Sequence, residues 1–317
     1  MTELLLAAAA WLGHLVLMIG CHNWFYGGKH PKPIGDLVHL AHAAAVLAFP
    51  VALVMAFGPD LAALFDWGAG SLVQQALRSY VLLCWATLFL WLPALTWYRS
   101  RRREPSSDVR VEVVDLGERV GRHLVGQGHH AFLARLPGNQ VLQVEYVEKT
   151  LSLPRLPQSW DGLTVLHLSD LHLHGTPDRG WYAAVLDRCA GWRPDVVALT
   201  GDVADSPVHH RWIIPLLGRL RWNLGAFAIL GNHDYRHDVD LIRKRLRRVG
   251  MQVLENNWIW AEARGERFVV VGHEGPWLDG VPDLSRCPKE PFRLCLSHTP
   301  DHIGWARRNG IDLMLAG

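Results

Sequence analysis

The charged residues of this chain are very unevenly placed. Residues 1–98 hold seven of the 62: Glu3, Lys29, Lys32, Asp36, Asp60, Asp66 and Arg78. The other 55 fall in residues 99–317, at a density ordinary for a water-soluble domain. An apolar third and a mixed remainder cannot solve the burial problem in the same way. The first has too few polar groups to face water, so it must face lipid. Within it, residues 4–20, 37–57 and 80–97 each approach the ~20 apolar residues that cross a bilayer. Pro50 and Pro93 lie inside spans, where such helices tolerate them. The leading Met1, Thr2 and Glu3 lack the basic stretch of a cleaved signal, so the first span reads as a retained helix.

Basic residues in short loops set orientation. Lys29 and Lys32 follow the first span, Asp60 and Asp66 the second, and Arg99, Arg101, Arg102 and Arg103 the third. The expectation is a multi-pass protein of the cell (inner) membrane with its amino terminus outside and its C-terminal domain cytoplasmic. The arginines read as a topology signal, with anionic headgroups as a further contact. A net charge of +2 offers no broad field for nucleic acid, and none is expected as partner. The five cysteines, Cys21, Cys84, Cys189, Cys287 and Cys295, are scattered and odd in number, which argues against a disulfide framework and fits a reducing compartment.

The expected organisation is a three-helix transmembrane region at 1–98, a basic linker at 99–108, a β-rich lead-in at 109–160 and an α/β domain at 161–317. In the lead-in, 109–116 and 141–147 alternate apolar and polar residues as strands do, with Leu142, Val144 and Tyr146 on one face. Residues 117–136 show no assignable pattern. From Leu163 on, short apolar runs (LTVLHLSD, DVVALTGD, AFAILGNHD, RFVVVGHE, FRLCLSHT, DLMLAG) are separated by helical segments near 180–191, 209–222, 239–249 and 300–309. Runs without alternation fit strands covered on both faces, and the strand–helix order implies an α/β sheet.

Most of these runs end in metal-ligating residue types. Asp170 and His172 follow VLHLS, Asp202 follows VVALTG, Gly231-Asn232-His233-Asp234 follows AFAIL, and His298 follows RLCLS. In open α/β sheets ligands bind beyond the carboxyl ends of the strands. Carboxylate, imidazole and amide oxygen together suit manganese, iron, zinc or nickel, and a carboxylate can bridge two such ions in a hydrolytic site. One Asp-x-His would be weak evidence; four ordered blocks, each ending an apolar run, are strong.

These blocks, D-L-H, G-D-x-x-D, G-N-H-D and S-H-T, resemble the calcineurin-like metallophosphoesterase superfamily over about Leu163 to Gly317, and most of all its bacterial membrane-associated branch. The resemblance implies a four-layer sandwich of two packed sheets flanked by helices, and two divalent metal ions. Carried over, Asp170 and His172 would bind the first ion, Asp202 would bridge, and Asn232 and His298 would bind the second. His233 would face the phosphate as proton donor or charge stabiliser, and Asp205 would orient it. The superfamily's final G-H-x-H motif has no counterpart before Gly317, so the chain reads as a fragment with one ligand missing per ion, and weak metal binding is expected.

The implied activity is hydrolysis of a phosphodiester or pyrophosphate by a water-derived nucleophile. Phosphate esters are the expected partners, with lipid-linked ones of UDP-2,3-diacylglucosamine type favoured by the membrane anchor. A phosphomonoesterase or protein phosphatase, or an inactive membrane sensor, are the rival readings. His14, His39 and His42 fall in or near spans, where ionisable residues are functional candidates: either a metal or haem site, or neutral histidines bonded between helices. His174 lines the opening or is a solvated loop residue. His167, His209 and His210, and His273-Glu274 read as core, helix-start and bystander residues. The basic run from Leu241 to Gly250 reads as a solvated face, with headgroup contact as the alternative.

Overall fold

The computed structural model describes residues 2–59, 61–66, 68, 70–101, 106–128, 131–278 and 280–317, with Lys32 and Ser106 described by backbone alone. Asp60, Arg102, Arg103 and the side chain of Lys32, used above for topology, lie outside the described residues. The chain divides into two compact units, Met1–Glu104 and Pro105–Gly317.

The first unit is helical: α1 (Thr2–Tyr26), α2 (Lys32–Phe57), and α3 (Leu72–Ala86), which runs through a wide turn at Thr87–Trp91 into α4 (Leu92–Ser100). Three of these bodies are long and apolar enough to cross a membrane: Thr2–Tyr26, Pro33–Phe57 and Leu72–Ser100. Helix α3 begins eight residues before the expected span because Ser71 and Gln74 cap it reciprocally. Ser71 Oγ accepts from the Gln74 amide at 3.3 Å, and Gln74 Oε1 from the Ser71 amide at 2.9 Å. In the wide turn the Leu92 amide donates to the Thr87 carbonyl, five residues back, one position before Pro93 removes the next donor. Gly13 lets α1 meet α3 closely, since a Cβ there would overlap the backbone of Cys84. Ala10, Phe49, Leu53, Leu64, Val81 and Cys84 pack the interior. Outward side chains stay apolar, Met55 being 83% exposed.

The second unit opens with an antiparallel ribbon, β1 (Ser106–Asp115) and β2 (Gln143–Leu151), with Val111 opposite Val147. The first strand stops before Leu116 because Asp115 turns to cap α5 (Leu116–Arg119), accepting from the Glu118 amide at 3.0 Å. The stretch without a pattern holds α5 and two tight helical turns at Arg122–Val125 and Ala131–Arg135.

Two four-stranded sheets follow. The first is wholly parallel and in chain order: β3 (Val165–Leu168), β4 (Val196–Thr200), β5 (Gly225–Ile229) and β6 (Gln252–Val253). Its crossovers are α6 (Arg179–Gly191), α7 (Ile213–Leu217) and α8 (Val239–Arg248). The second sheet runs in the order β10 (Leu313–Ala316), β9 (Arg293–Ser297), β8 (Glu266–His273), β7 (Trp258–Ala263), with only the β7–β8 pair antiparallel. Helix α9 (Ile303–Arg308) joins β9 to β10.

Successive strand side chains point to opposite faces, and both faces here are apolar. Val196, Ala198, Phe227 and Ile229 meet Phe268, Val270, Leu294 and Leu296 between the sheets. Val197, Leu199, Ala226 and Ala228 face α6, α7 and α8. Val269, Val271 and Cys295 face Trp305 of α9. The result is an α/β sandwich of helix, sheet, sheet and helix, as the fold class predicts. Strands β6 and β7 were not legible as runs, and the helix expected over 209–222 is only a tight turn at His209–Trp212 followed by α7. Pro215 fits the first turn of α7, and the chain leaves the helix at Gly218.

Candidate metal centre

The carboxyl ends of β3, β4, β5 and β9 lie at one edge, and the loops leaving them bring all seven candidate residues together. Asp170, His172 and Asp202 adopt positive φ of 53°, 44° and 54°, a strained backbone state that clusters at functional sites. It is held by backbone bonds across neighbouring loops: Asp170 N to Gly201 O and His172 N to Asp202 O, each at 3.0 Å. Gly231 permits the closest approach, since a Cβ there would overlap Asp202 Oδ1.

Asp202 sits at the centre and is buried. It belongs to two sets of donor atoms, each within 4.8 Å of one another: His172, Asp202 and His233, and Asp170, Asp202 and His298. This grouping crosses the assignment made from the motifs, which pairs Asp170 with His172 and leaves His233 free. The contacts are continuous, however, since His172 Nε2 is 3.5 Å from Asp170 Oδ1 and 3.6 Å from Asp202 Oδ2. His298 Nε2 is 3.4 Å from Asp202 Oδ2 and 2.8 Å from Asn232 Oδ1. Asn232 is thus beside His298, and Gly317, at the end of β10, lies next to Asp170 and His298.

The ring nitrogens settle how these side chains are aimed. His298 Nδ1 donates to the Thr200 carbonyl at 2.8 Å. Asp205 Oδ1 accepts from His172 Nδ1 and from His233 Nδ1, each at 2.9 Å. With every Nδ1 engaged by an oxygen, each Nε2 carries its lone pair toward the centre. There His172 and His298 meet carboxylate and amide oxygens, an arrangement that needs either an extra proton or a cation between them. The donor set therefore fits divalent ions. Protonation follows the same field. The Asp170 carboxylate first, then Asp205, push the His172 imidazole up to about 10. Burial lowers His298, but its bond to Asp202 outweighs this and leaves it raised. Burial would raise Asp205, yet its bonds from His172 and His233 hold it well below the usual carboxylate range.

Two residues around the site were not assigned roles from the sequence. Asp234, fully buried, accepts from the amides of Gly231 at 3.0 Å, Val203 at 2.9 Å and Ala204 at 3.4 Å, tying the Asp202 loop to the Asn232 loop. Burial pushes its carboxyl up to about 6 against those three amides. Glu274, read as a bystander, accepts from the Leu230 amide at 2.8 Å and from Arg243 Nη2 at 2.7 Å, anchoring the residue before the Gly-Asn-His-Asp turn. Asp234 was marked only as the last residue of the Gly-Asn-His-Asp block, and Glu274 only as the end of the run RFVVVGHE. Helix α8 is likewise only partly a solvated face, since Ile242 and Leu246 are buried and Arg243 reaches Glu274. His167 donates to or accepts from Thr200 Oγ1 at 2.8 Å inside the sheet, and His174 bonds the His172 carbonyl.

Comparison with known proteins places this unit. Residues 163–317 match the calcineurin-like phosphoesterase family. The chain is 29% identical over 183 residues to the uncharacterized metallophosphoesterase YkuE of Bacillus subtilis, covering 55% of this chain and 64% of that protein. It is 29% identical over 188 residues to a zebrafish transmembrane protein with metallophosphoesterase domain, covering 54% of this chain and 43% of that protein. A shorter match, 36% identical over 90 residues and 26% of each chain, is to the UDP-2,3-diacylglucosamine pyrophosphatase LpxG of Chlamydia trachomatis. The chain spans less than two thirds of the length of each of these relatives. With the strand-end residues gathered around Asp202, the sandwich that carries them, and 30% identity over 183 residues and 68% of an uncharacterized metallophosphoesterase of Aquifex aeolicus, the chain belongs to the calcineurin-like phosphoesterase family.

Proposed function

We propose that this protein is a membrane-anchored, binuclear metal-dependent phosphoesterase acting on a phosphodiester or pyrophosphate. The observation that carries the reading is Asp202, one buried carboxylate shared by two donor sets. In this reading Asp170 and His172 would hold one ion and Asn232 and His298 the other, with Asp202 available to each. Two divalent ions held there would supply charge neutralisation at the phosphoryl group and a lowered pKa for the attacking water. The chain's own residues do the rest. Asp205 holds His233 through Nδ1–H, which aims Nε2 at the leaving oxygen, and its carboxylate supports the imidazolium form whose Nε2–H donates there. The rigid Asp234 bridge keeps the two metal-binding loops in register. Manganese, iron, zinc and nickel all suit this donor set.

The organisation proposed follows the one expected above, except that the linker is shorter than 99–108 because α4 runs to Ser100 and β1 starts at Ser106: helical membrane region, linker, β-rich lead-in to residue 160 and catalytic domain 161–317. The protein is multi-pass in the inner membrane, with the catalytic domain cytoplasmic. A lipid-linked pyrophosphate is the favoured substrate class, supported by three apolar helices ahead of the domain and by the partial likeness to LpxG. The test is hydrolysis of bis-p-nitrophenyl phosphate and of the monoester by the full chain in micelles, as manganese is titrated in. Faster diester cleavage supports the reading. Cleavage of the monoester alone supports a phosphatase, and metal binding without either supports a sensor.

A further inference from the structure

The helical unit holds its own gathering of imidazoles. His22 stands near the end of α1, and His39 and His42 lie one turn apart on α2. The His22 ring centroid is 5.3 Å from that of His39 and 5.5 Å from that of His42. His22 Nδ1 and His42 Nδ1 face each other at 3.3 Å. The helices are pinned at this point. Tyr26 packs on His22 with centroids 4.3 Å apart and donates its hydroxyl to the Gly35 carbonyl at 2.7 Å, joining the end of α1 to the start of α2.

Three histidines on two clamped helices are a costly arrangement in an apolar unit unless they have a shared task. Two imidazole nitrogens bound to one tetrahedral ion at ordinary distances lie about 3.3–3.4 Å apart, which is the separation found. The spacing leaves no room for a haem, whose axial nitrogens must sit on opposite faces of the macrocycle. Neutral imidazoles favour zinc, copper or nickel over hard cations. We propose that His22, His39 and His42 form a site for one divalent transition-metal ion, distinct from the catalytic centre. His22 and His42 supply the pre-set pair, and His39 turns its ring inward to complete three nitrogens. A fourth position stays open to water or a further ligand.

The test uses the full chain in micelles carrying Asp202→Asn and His298→Gln to weaken the catalytic centre. Copper(II) is titrated in and read by electron paramagnetic resonance and by metal content after dialysis. One ion per chain with three nitrogen couplings is expected. His22→Gln or His42→Gln should weaken it at least tenfold, and His30→Gln should leave it unchanged. His39→Gln, on an exposed surface position where folding is not at stake, should remove one nitrogen coupling. In the otherwise unaltered chain, His22→Gln should leave diester hydrolysis unchanged. Equal copper affinity in the His22→Gln and His42→Gln double variant would overturn the site, as would an unchanged nitrogen count in His39→Gln. Either would leave His22 and His42 as a hydrogen-bonded pair of neutral rings.

Discussion

Each unit of this molecule buries an ionisable side chain against backbone, and the two have opposite charge. In the helical unit Arg78, 3% exposed, donates to the carbonyls of Leu64 at 3.2 Å and Ala63 at 2.7 Å and lies over Phe57. In the sandwich Asp234, fully buried, accepts three amides from two loops. The difference follows from which backbone groups each region leaves short of partners. At the tight turn Ala62–Phe65 the Ala63 carbonyl receives only a long bond of 3.4 Å from the Asp66 amide, and the guanidinium adds a shorter one there and another at the Leu64 carbonyl. The loops beyond β4 and β5 turn their amides inward, which a carboxylate satisfies. Both act as loop fasteners, and the one in the sandwich fastens the edge where the candidate metal-binding residues gather.

The comparison can be broken at several points. The largest effect expected is on turnover. Asp202→Asn should lower diester hydrolysis by about a thousandfold or more, roughly 4 kcal/mol of barrier, because it disarms both donor sets; activity within tenfold of the parent would remove Asp202 from the centre. Asp234→Ala should leave three buried amides unpaired and cost about 3 kcal/mol of stability, seen as a fall in the unfolding midpoint of the catalytic unit. Arg78→Ala should cost about 2 kcal/mol in the helical unit by the same logic, read by detergent-resistant helicity on heating. If only one of the two destabilises, the parallel between the units fails.

Asp205→Asn should lower turnover by about 10- to 100-fold through loss of ring orientation, with metal content reduced less than in Asp202→Asn. A pH effect is expected from His273, which is 2% exposed and stacked on His302 at 3.6 Å. Burial holds its imidazole down at about 4. The unfolded chain takes up that proton below about 6.5, so this contribution is present above pH 6.5 and is lost as pH falls toward 4. It amounts to at most about 3 kcal/mol. It is read as the wild-type stability change from pH 7 to 4.5 minus that of His273→Phe, and no difference would refute it. The smallest effect is at the exposed Asp187–Arg219 pair, bonded at 2.6 Å, where Asp187→Ala should cost under about 1 kcal/mol.

Much of the site could be read from order along the chain. Asp170, His172, Asp202, Asn232, His233 and His298 each stand just after an apolar run, and parallel strands carry such positions to one edge whatever their sequence separation. Asp234 and Glu274 could not be assigned in this way, because their partners include backbone amides of loops 30 to 44 residues away, and nothing in a sequence marks an amide as unpaired. The shared use of Asp205 by His172 and His233 was half legible: one partner followed from the motif, the other needed the loops in place. Strands β6 and β7 were not legible because each is the edge strand of its own sheet, β6 two residues long and β7 antiparallel, without the fully buried run that marked the central strands.

By itself the sequence determined that an apolar, charge-poor third precedes an α/β domain, and which residue types stand at the strand ends. Those follow from local hydrophobic periodicity and from the few polar groups the first third contains. Only the tertiary structure decided which nitrogens point inward, that Asp205 serves both His172 and His233, and that His22 joins His39 and His42. Ring orientation and atom spacing depend on bonds made across loops and helices far apart in the chain, and no local pattern encodes them.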